Sequence, residues 1–224
     1  FLYITFQFFT YDFYLLRQII AMSITMLSLK FVEEKKLIKF ILMIVLATCF
    51  HTSACIFIIV YWLSKINMDN KKVIKSLKDL SKFIAIFGNS IINMALNFLY
   101  QHYAESEGEA GGYFYFSILM IIFILITAIK NDFFENDKRN IMWYNILIMA
   151  LFVQLLAIMK PIINRLTIYY SIAIIIALPN AIHSIKEKNT RMLLSFGTFI
   201  GFFIFYLTRL DNPITYIDYH FFWS

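Results

Sequence analysis

Arg17 in YDFYLLRQIIA and Arg165 in INRLTIYY each lead into an apolar run, and His51 interrupts another run at LATCFHTSACIF. An arginine presents a planar fork of donors that fits phosphate oxygens. The first turn of a helix, whose amides lack intrahelical partners, adds its own preference for anions. Gln18 directly follows Arg17 and shares that helix opening. Histidine ionises near neutrality, so His51 could hydrogen-bond, shuttle a proton or orient a substrate oxygen. Each residue also has a plainer reading. Arginines at a lipid surface snorkel to headgroups, and a histidine at a helix break can simply satisfy Thr52, Ser53 and exposed backbone.

A second constellation is the segment QHYAESEGEAGGY, where Glu105, Glu107 and Glu109 alternate with Gly108, Gly111 and Gly112 between Tyr100, Tyr103, Tyr113 and Tyr115. Aromatic rings cover the apolar faces of a pyranose while carboxylates accept its hydroxyl protons, so this mixture suits sugar binding. An aromatic belt beside a solvated loop is the alternative. Asp12, Asp211 and Asp218 are further acids of the same kind. Metal chemistry has no support: Cys49 and Cys55 form no CxxC, and His102, His183 and His220 are scattered without ligand spacing. Walker, GxGxxG, GxSxG, haem and iron–sulfur patterns are absent. So are acids at the centres of apolar runs, which argues against a pump.

The elements that must position these residues follow from composition. Hydrophobic residues make up 61% of the chain and charged residues 15%, with a mean hydropathy of +0.72. That is the composition of a multi-span membrane protein rather than a soluble one. The reading is all-α, a polytopic helical bundle forming a single transmembrane domain over 1–224. About six full spans are expected, near 14–32, 83–103, 113–129, 141–159, 166–182 and 192–207. A short re-entrant or hairpin pair is expected over 37–50 and 52–63. FLYITFQFF at the start has neither a basic n-region nor a cleavage site. It reads as the tail of an earlier helix, so the chain is expected to be the C-terminal part of a longer one.

The hairpin is inferred from charge. As one helix, the 27 residues from Leu37 to Leu63 would reach about 40 Å, more than one crossing needs and less than two. If the run enters and leaves on one side, 16 of the 20 basic residues collect on that side. Only Arg17, Lys160, Arg165 and Arg209 remain opposite. A full crossing would move the six lysines from Lys65 to Lys82 and spoil this asymmetry, so the positive-inside rule favours a turn at His51. Arms of about 20 Å would bring that turn to the outer half of the bilayer. Arg17, His51, the acidic loop and Arg165 are then all expected toward the outer face. The Lys65–Lys82 segment reads as an amphipathic stretch on the inner leaflet, its charge explained by topology rather than by nucleic acid.

These pieces, in this order, resemble the EpsG-type polysaccharide polymerases, relatives of the Wzy O-antigen and capsule polymerases. LLRQIIA matches an Arg-Gln-x-x-Ala element, LATCFHTSA an Ala-x-x-Phe-His-x-Ser-Ala element, and NRLTIYYSIAIIIALPNAI an Arg-x-x-x-Tyr-Tyr helix ending near a Pro. DNPITYIDY resembles the closing Pro-Tyr tail, although Pro213 and Tyr216 are separated here by Ile214 and Thr215. The resemblance covers nearly the whole chain. It implies a GT-C-like membrane glycosyltransferase in the bacterial cytoplasmic (inner) membrane. Such an enzyme joins oligosaccharide repeat units carried on polyprenyl pyrophosphate, at the outer face, without cofactor, metal or nucleotide sugar. Its partners would be lipid-linked donor and acceptor, the bilayer, and a chain-length regulator and flippase, with no nucleic acid.

Carried over by position, the resemblance makes Arg17, His51 and Arg165 the catalytic residues. Gln18, Tyr169 and Tyr216 fall in the matching motifs, and with Tyr103, Glu105 and Asp12 from the outer-face aromatics and acids they are expected to contact substrate. The base that takes the acceptor proton is open among Asp12, Glu105, Glu107 and Glu109. A lipid-linked oligosaccharide flippase or other transporter would share the basic residues and the spans, but transporters often repeat their interrupted helices, and only one interrupted segment is visible here. A non-catalytic subunit would leave Arg17, His51 and Arg165 without a joint purpose.

Overall fold

The computed structural model describes residues 1–6, 8–64, 112–158 and 163–210, with a few isolated positions between 66 and 82. The span expected over 83–103, most of the basic stretch 65–82, and the candidates Tyr103, Glu105 and Tyr216 lie outside the described residues. All regular elements among the described residues are helical. They are α1 (Leu2–Thr5), α2 (Phe8–Tyr14), α3 (Leu16–Glu33), α4 (Leu37–Phe50), a 3-10 helix (Thr52–Ile59), α5 (Val60–Leu63), α6 (Tyr113–Ala128), α7 (Lys130–Asn136), α8 (Asn140–Ala157), α9 (Asn164–Ser171), α10 (Ile174–His183) and α11 (Lys188–Leu210).

Three stretches among these residues are long and apolar enough to cross a membrane: Asn140–Ala157, Asn164–His183 and Lys188–Leu207. The bent pair α6–α7, broken by 74°, makes a fourth if it is one span. Leu16–Glu33 is an 18-residue helix but carries Arg17, Lys30 and Glu33, and falls outside this set. The described residues thus support three to four candidate spans, not the full count of six.

Between α3 and α4 the chain turns in three residues. Lys36 N–H reaches the Phe31 carbonyl (2.8 Å) and Lys35 N–H the Val32 carbonyl (3.1 Å), with Lys35 at a φ of 57°. This is the left-handed helix stop usually given to glycine. The next reversal comes at His51, whose extended backbone (φ −151°, ψ 119°) ends α4. The Phe40 and Tyr61 rings then lie 5.4 Å apart, whereas one straight helix would separate them by about 30 Å. The returning arm is 3-10 over eight residues, far longer than the usual short piece. In its middle the buried Tyr170 hydroxyl donates to the Ile56 carbonyl (2.6 Å).

Helix α8 is central, packing on α6, α9, α10 and the end of the returning arm. Fully buried Phe40, Phe57, Phe123, Tyr144, Tyr169 and Tyr170 fill the space between these helices. Such rings remove large apolar areas from contact with lipid and pack against one another with a preferred geometry. Two asparagines inside the bundle donate to the backbone of neighbouring segments. Asn145 donates to the Leu63 and Ile66 carbonyls (both 2.7 Å), and Asn140 to the Phe133 carbonyl (2.7 Å) while accepting from Asn180 (3.2 Å).

Interactions at the turns divide the bundle into two ends. At one end Lys186 pairs with Asp132 (2.7 Å) and Glu135 (3.8 Å), joining α7 to the α10–α11 turn. Arg139 pairs with Asp137 (2.7 Å) and also feels the charge of Glu33, which brings in the α3–α4 turn. The Arg139 hydrogen bond holds the partly exposed Asp137 carboxyl below the usual carboxylate range. The described lysines of these turns gather here. The openings of α3, α6 and α9 and the His51 turn lie at the other end, described next.

Candidate functional site

Arg17 and Arg165 each stand second in their helices, α3 and α9. The two openings are tied directly: the Gln18 carboxamide donates to the Arg165 carbonyl at 2.5 Å. Gln18 is buried, Arg165 half-buried and Arg17 exposed. The chain between α2 and α3 breaks at Leu15, and the Leu15 carbonyl receives the Ile19 amide. The amides of the first turn therefore point out of the helix beside Arg17, as the geometry of a helix start requires.

His51 is half-buried at the hairpin turn, and the guanidinium charges of Arg165 and Arg17 both reach its ring. Its Nδ1 lies 2.6 Å from Ser53 Oγ. The Ser53 hydroxyl in turn donates to the Tyr169 hydroxyl at 3.2 Å. Ser53 and Tyr169 are both fully buried. Three segments far apart in sequence thus converge, with the charges of two arginines acting on a histidine whose ring meets a buried hydroxyl pair.

Gly112 opens α6 at the same end with a φ of 87°. Its carbonyl accepts from Gln154 of α8 (3.2 Å), and a Cβ at this position would come within 2.7 Å of Gln154 Nε2 and 3.6 Å of Asn164 Oδ1. Asn164 directly precedes Arg165, so Gly112 lies beside the α9 opening. Among the described residues four buried side-chain oxygens make no hydrogen bond: Gln18 Oε1, Gln154 Oε1 and Thr167 Oγ1 at this end, and Asn145 Oδ1 elsewhere in the bundle. An unpaired buried acceptor costs about 1–3 kcal/mol, a cost that a hydroxyl-bearing ligand or water would remove.

Of the other candidates, Asp12 in α2 accepts the Tyr3 hydroxyl on both carboxylate oxygens (2.9 and 2.8 Å). Tyr169 turns its hydroxyl to Ser53, in the layer behind His51. Among the described residues no group of three His, Cys, Asp or Glu side chains could hold a metal ion. Cys49 and Cys55 are free thiols. Sequence reasoning passed over Gln154 and Asn145, although a lone amide inside ALFVQLLA or WYNILIM is a visible signal in a membrane helix.

The model of the EpsG family matches residues 1–221. No curated protein and no solved structure matches.

Proposed function

The chain belongs to the EpsG family, and from that premise we propose that it is a membrane glycosyltransferase polymerising polyprenyl-pyrophosphate-linked oligosaccharide repeat units into a surface polysaccharide. The observation that supports this reading most is the convergence of Arg17, His51 and Arg165 at the end of the bundle opposite the lysine-rich turns. On this reading that end faces outward from the bacterial inner membrane, which the gathering of lysines at the opposite end supports through the positive-inside rule. The growing chain leaves its lipid pyrophosphate and is transferred to the non-reducing end of an incoming unit.

Pyrophosphate is already a good leaving group. The chemistry then asks for charge stabilisation as the bond to the anomeric carbon breaks, and for a group to receive the acceptor proton. Arg17, exposed, and Arg165, half-buried, supply the first as cations; hydrogen-bonding forks of this kind match the bidentate geometry of phosphate. No metal or nucleotide sugar enters this scheme. Gln18 holds the two arginine-bearing helix starts together, and the unpaired oxygens of Gln18, Gln154 and Thr167 suit a hydroxyl-rich ligand.

The test replaces Arg17, His51 and Arg165 singly by Ala in cells that make the polymer. Each arginine variant is expected to lose about 10²–10³-fold in rate, the usual effect of removing one such donor. Export of single repeat units should continue while long polymer disappears. Accumulation of lipid-linked units on the inner side would point instead to a flippase. Normal polymer from all three variants would refute the site. Purified protein given lipid-linked units should form a ladder without nucleotide sugar or added metal.

A further inference from the structure

We propose that Ser53, held by Tyr169, is a positioning residue that locks His51 as its Nδ1–H tautomer and so makes Nε2 the atom that takes the proton of the acceptor hydroxyl. The proton-transfer half rests on the polymerase reading above; the tautomer rests on geometry alone. Neutral imidazole carries one N–H and one lone pair, and a serine hydroxyl has one proton to donate. Ser53 directs that proton to the Tyr169 hydroxyl at 3.2 Å. Toward His51 Nδ1, 2.6 Å away, its oxygen can therefore only accept. The ring proton sits on Nδ1, and the lone pair falls to Nε2.

Burial makes this a lock rather than a preference. Ser53 and Tyr169 are both 0% exposed, so water does not compete for either hydroxyl, and rotating the serine proton toward Nδ1 would give up the buried bond to the Tyr169 oxygen. The second residue after the break supplies the serine, and the helix that opens with Asn164 and Arg165 supplies the tyrosine, one turn on. The direction of the histidine lone pair is thereby coupled to the helix carrying one of the two arginines.

In the step itself, the acceptor O–H gives its proton to Nε2 while its oxygen forms the new bond to the donor anomeric carbon. The bond from that carbon to the pyrophosphate oxygen breaks, and its electron pair leaves on the lipid pyrophosphate. His51, then protonated on both nitrogens, returns the Nε2 proton to the released pyrophosphate. Ser53 stabilises the transient imidazolium as acceptor of Nδ1–H.

The experiment uses the full chain with 15N-labelled histidine in lipid nanodiscs, the His51 signal being assigned by its loss in His51→Gln. The wild type should show the Nδ1–H tautomer. Tyr169→Phe frees the Ser53 proton to turn to Nδ1 and should move the signal toward the Nε2–H form; Ser53→Ala should give a mixture. On lipid-linked repeat units, Ser53→Ala should lower kcat about tenfold, a part of the 10²–10⁴ that a positioned base supplies, with KM within about twofold. The acid limb of its kcat–pH profile should move to lower pH, because the imidazolium loses its Nδ1–H acceptor. A wild-type Nε2–H signal overturns the proposal, as does a well-folded Ser53→Ala with wild-type tautomer and kcat. If no polymer forms under any condition while the tautomer responses stand, the proton-transfer half falls with the polymerase reading and the lock survives.

Discussion

Replacing Gly112 by Ala probes the joint between the α6 opening and the site. Two costs can be separated. At a φ of 87° a Cβ brings about 1–2 kcal/mol of backbone strain. That Cβ would also lie 2.7 Å from Gln154 Nε2. The carboxamide end can move, but moving it breaks the 3.2 Å bond to the Gly112 carbonyl and leaves a buried N–H unpaired, about 1–2 kcal/mol more. The expected loss is therefore about 2–4 kcal/mol in total, measured by reversible SDS unfolding of the purified protein in mild detergent. In a Gln154→Ala background, only the strain should remain, so the double-mutant cycle should show a coupling of about 1–2 kcal/mol. A Gly112→Ala protein as stable as wild type would refute the backbone argument. Equal costs in both backgrounds would remove Gln154 from it.

Two further substitutions test the hairpins. Asn145→Leu removes the donor to the Leu63 and Ile66 carbonyls; at about 0.5–1.5 kcal/mol per bond the protein should lose about 1–3 kcal/mol. Hydrogen exchange should speed at Val60–Leu63 and not in α3, and unchanged exchange there would contradict the tether. Lys35→Gly places glycine at the left-handed stop between α3 and α4 and should stabilise by about 0.5–1 kcal/mol in the same unfolding assay. A loss of stability would mean that the lysine side chain contributes more than its backbone costs.

Much of the architecture was legible before any coordinate. The apolar runs near 113–129, 141–159, 166–182 and 192–207 correspond to helices Tyr113–Ala128, Asn140–Ala157, Asn164–His183 and Lys188–Leu210, because a chain in lipid must satisfy its backbone internally and only continuous helix does so. The run from Leu37 to Leu63 carried its own break in Phe-His-Thr-Ser. Less was legible where the partner comes from another helix. The 74° bend after Ala128 has no Pro or Gly to announce it, and a left-handed Lys35 is hidden in a run with Glu33, Glu34 and Lys36.

The sequence by itself determined that this chain is helical and apolar, which side its charges favour, and that Arg17, His51 and Arg165 deserved attention, since these depend on residue type and local spacing. Only the tertiary structure decided what those residues meet. Gln18 could have faced solvent or substrate, yet it bonds to the Arg165 carbonyl; Tyr169, expected at the substrate, spends its hydroxyl on Ser53. Hydrogen bonds between residues more than a hundred positions apart depend on helix rotation and crossing, which packing of large buried rings sets to within an ångström, and no periodicity in the chain encodes that distance.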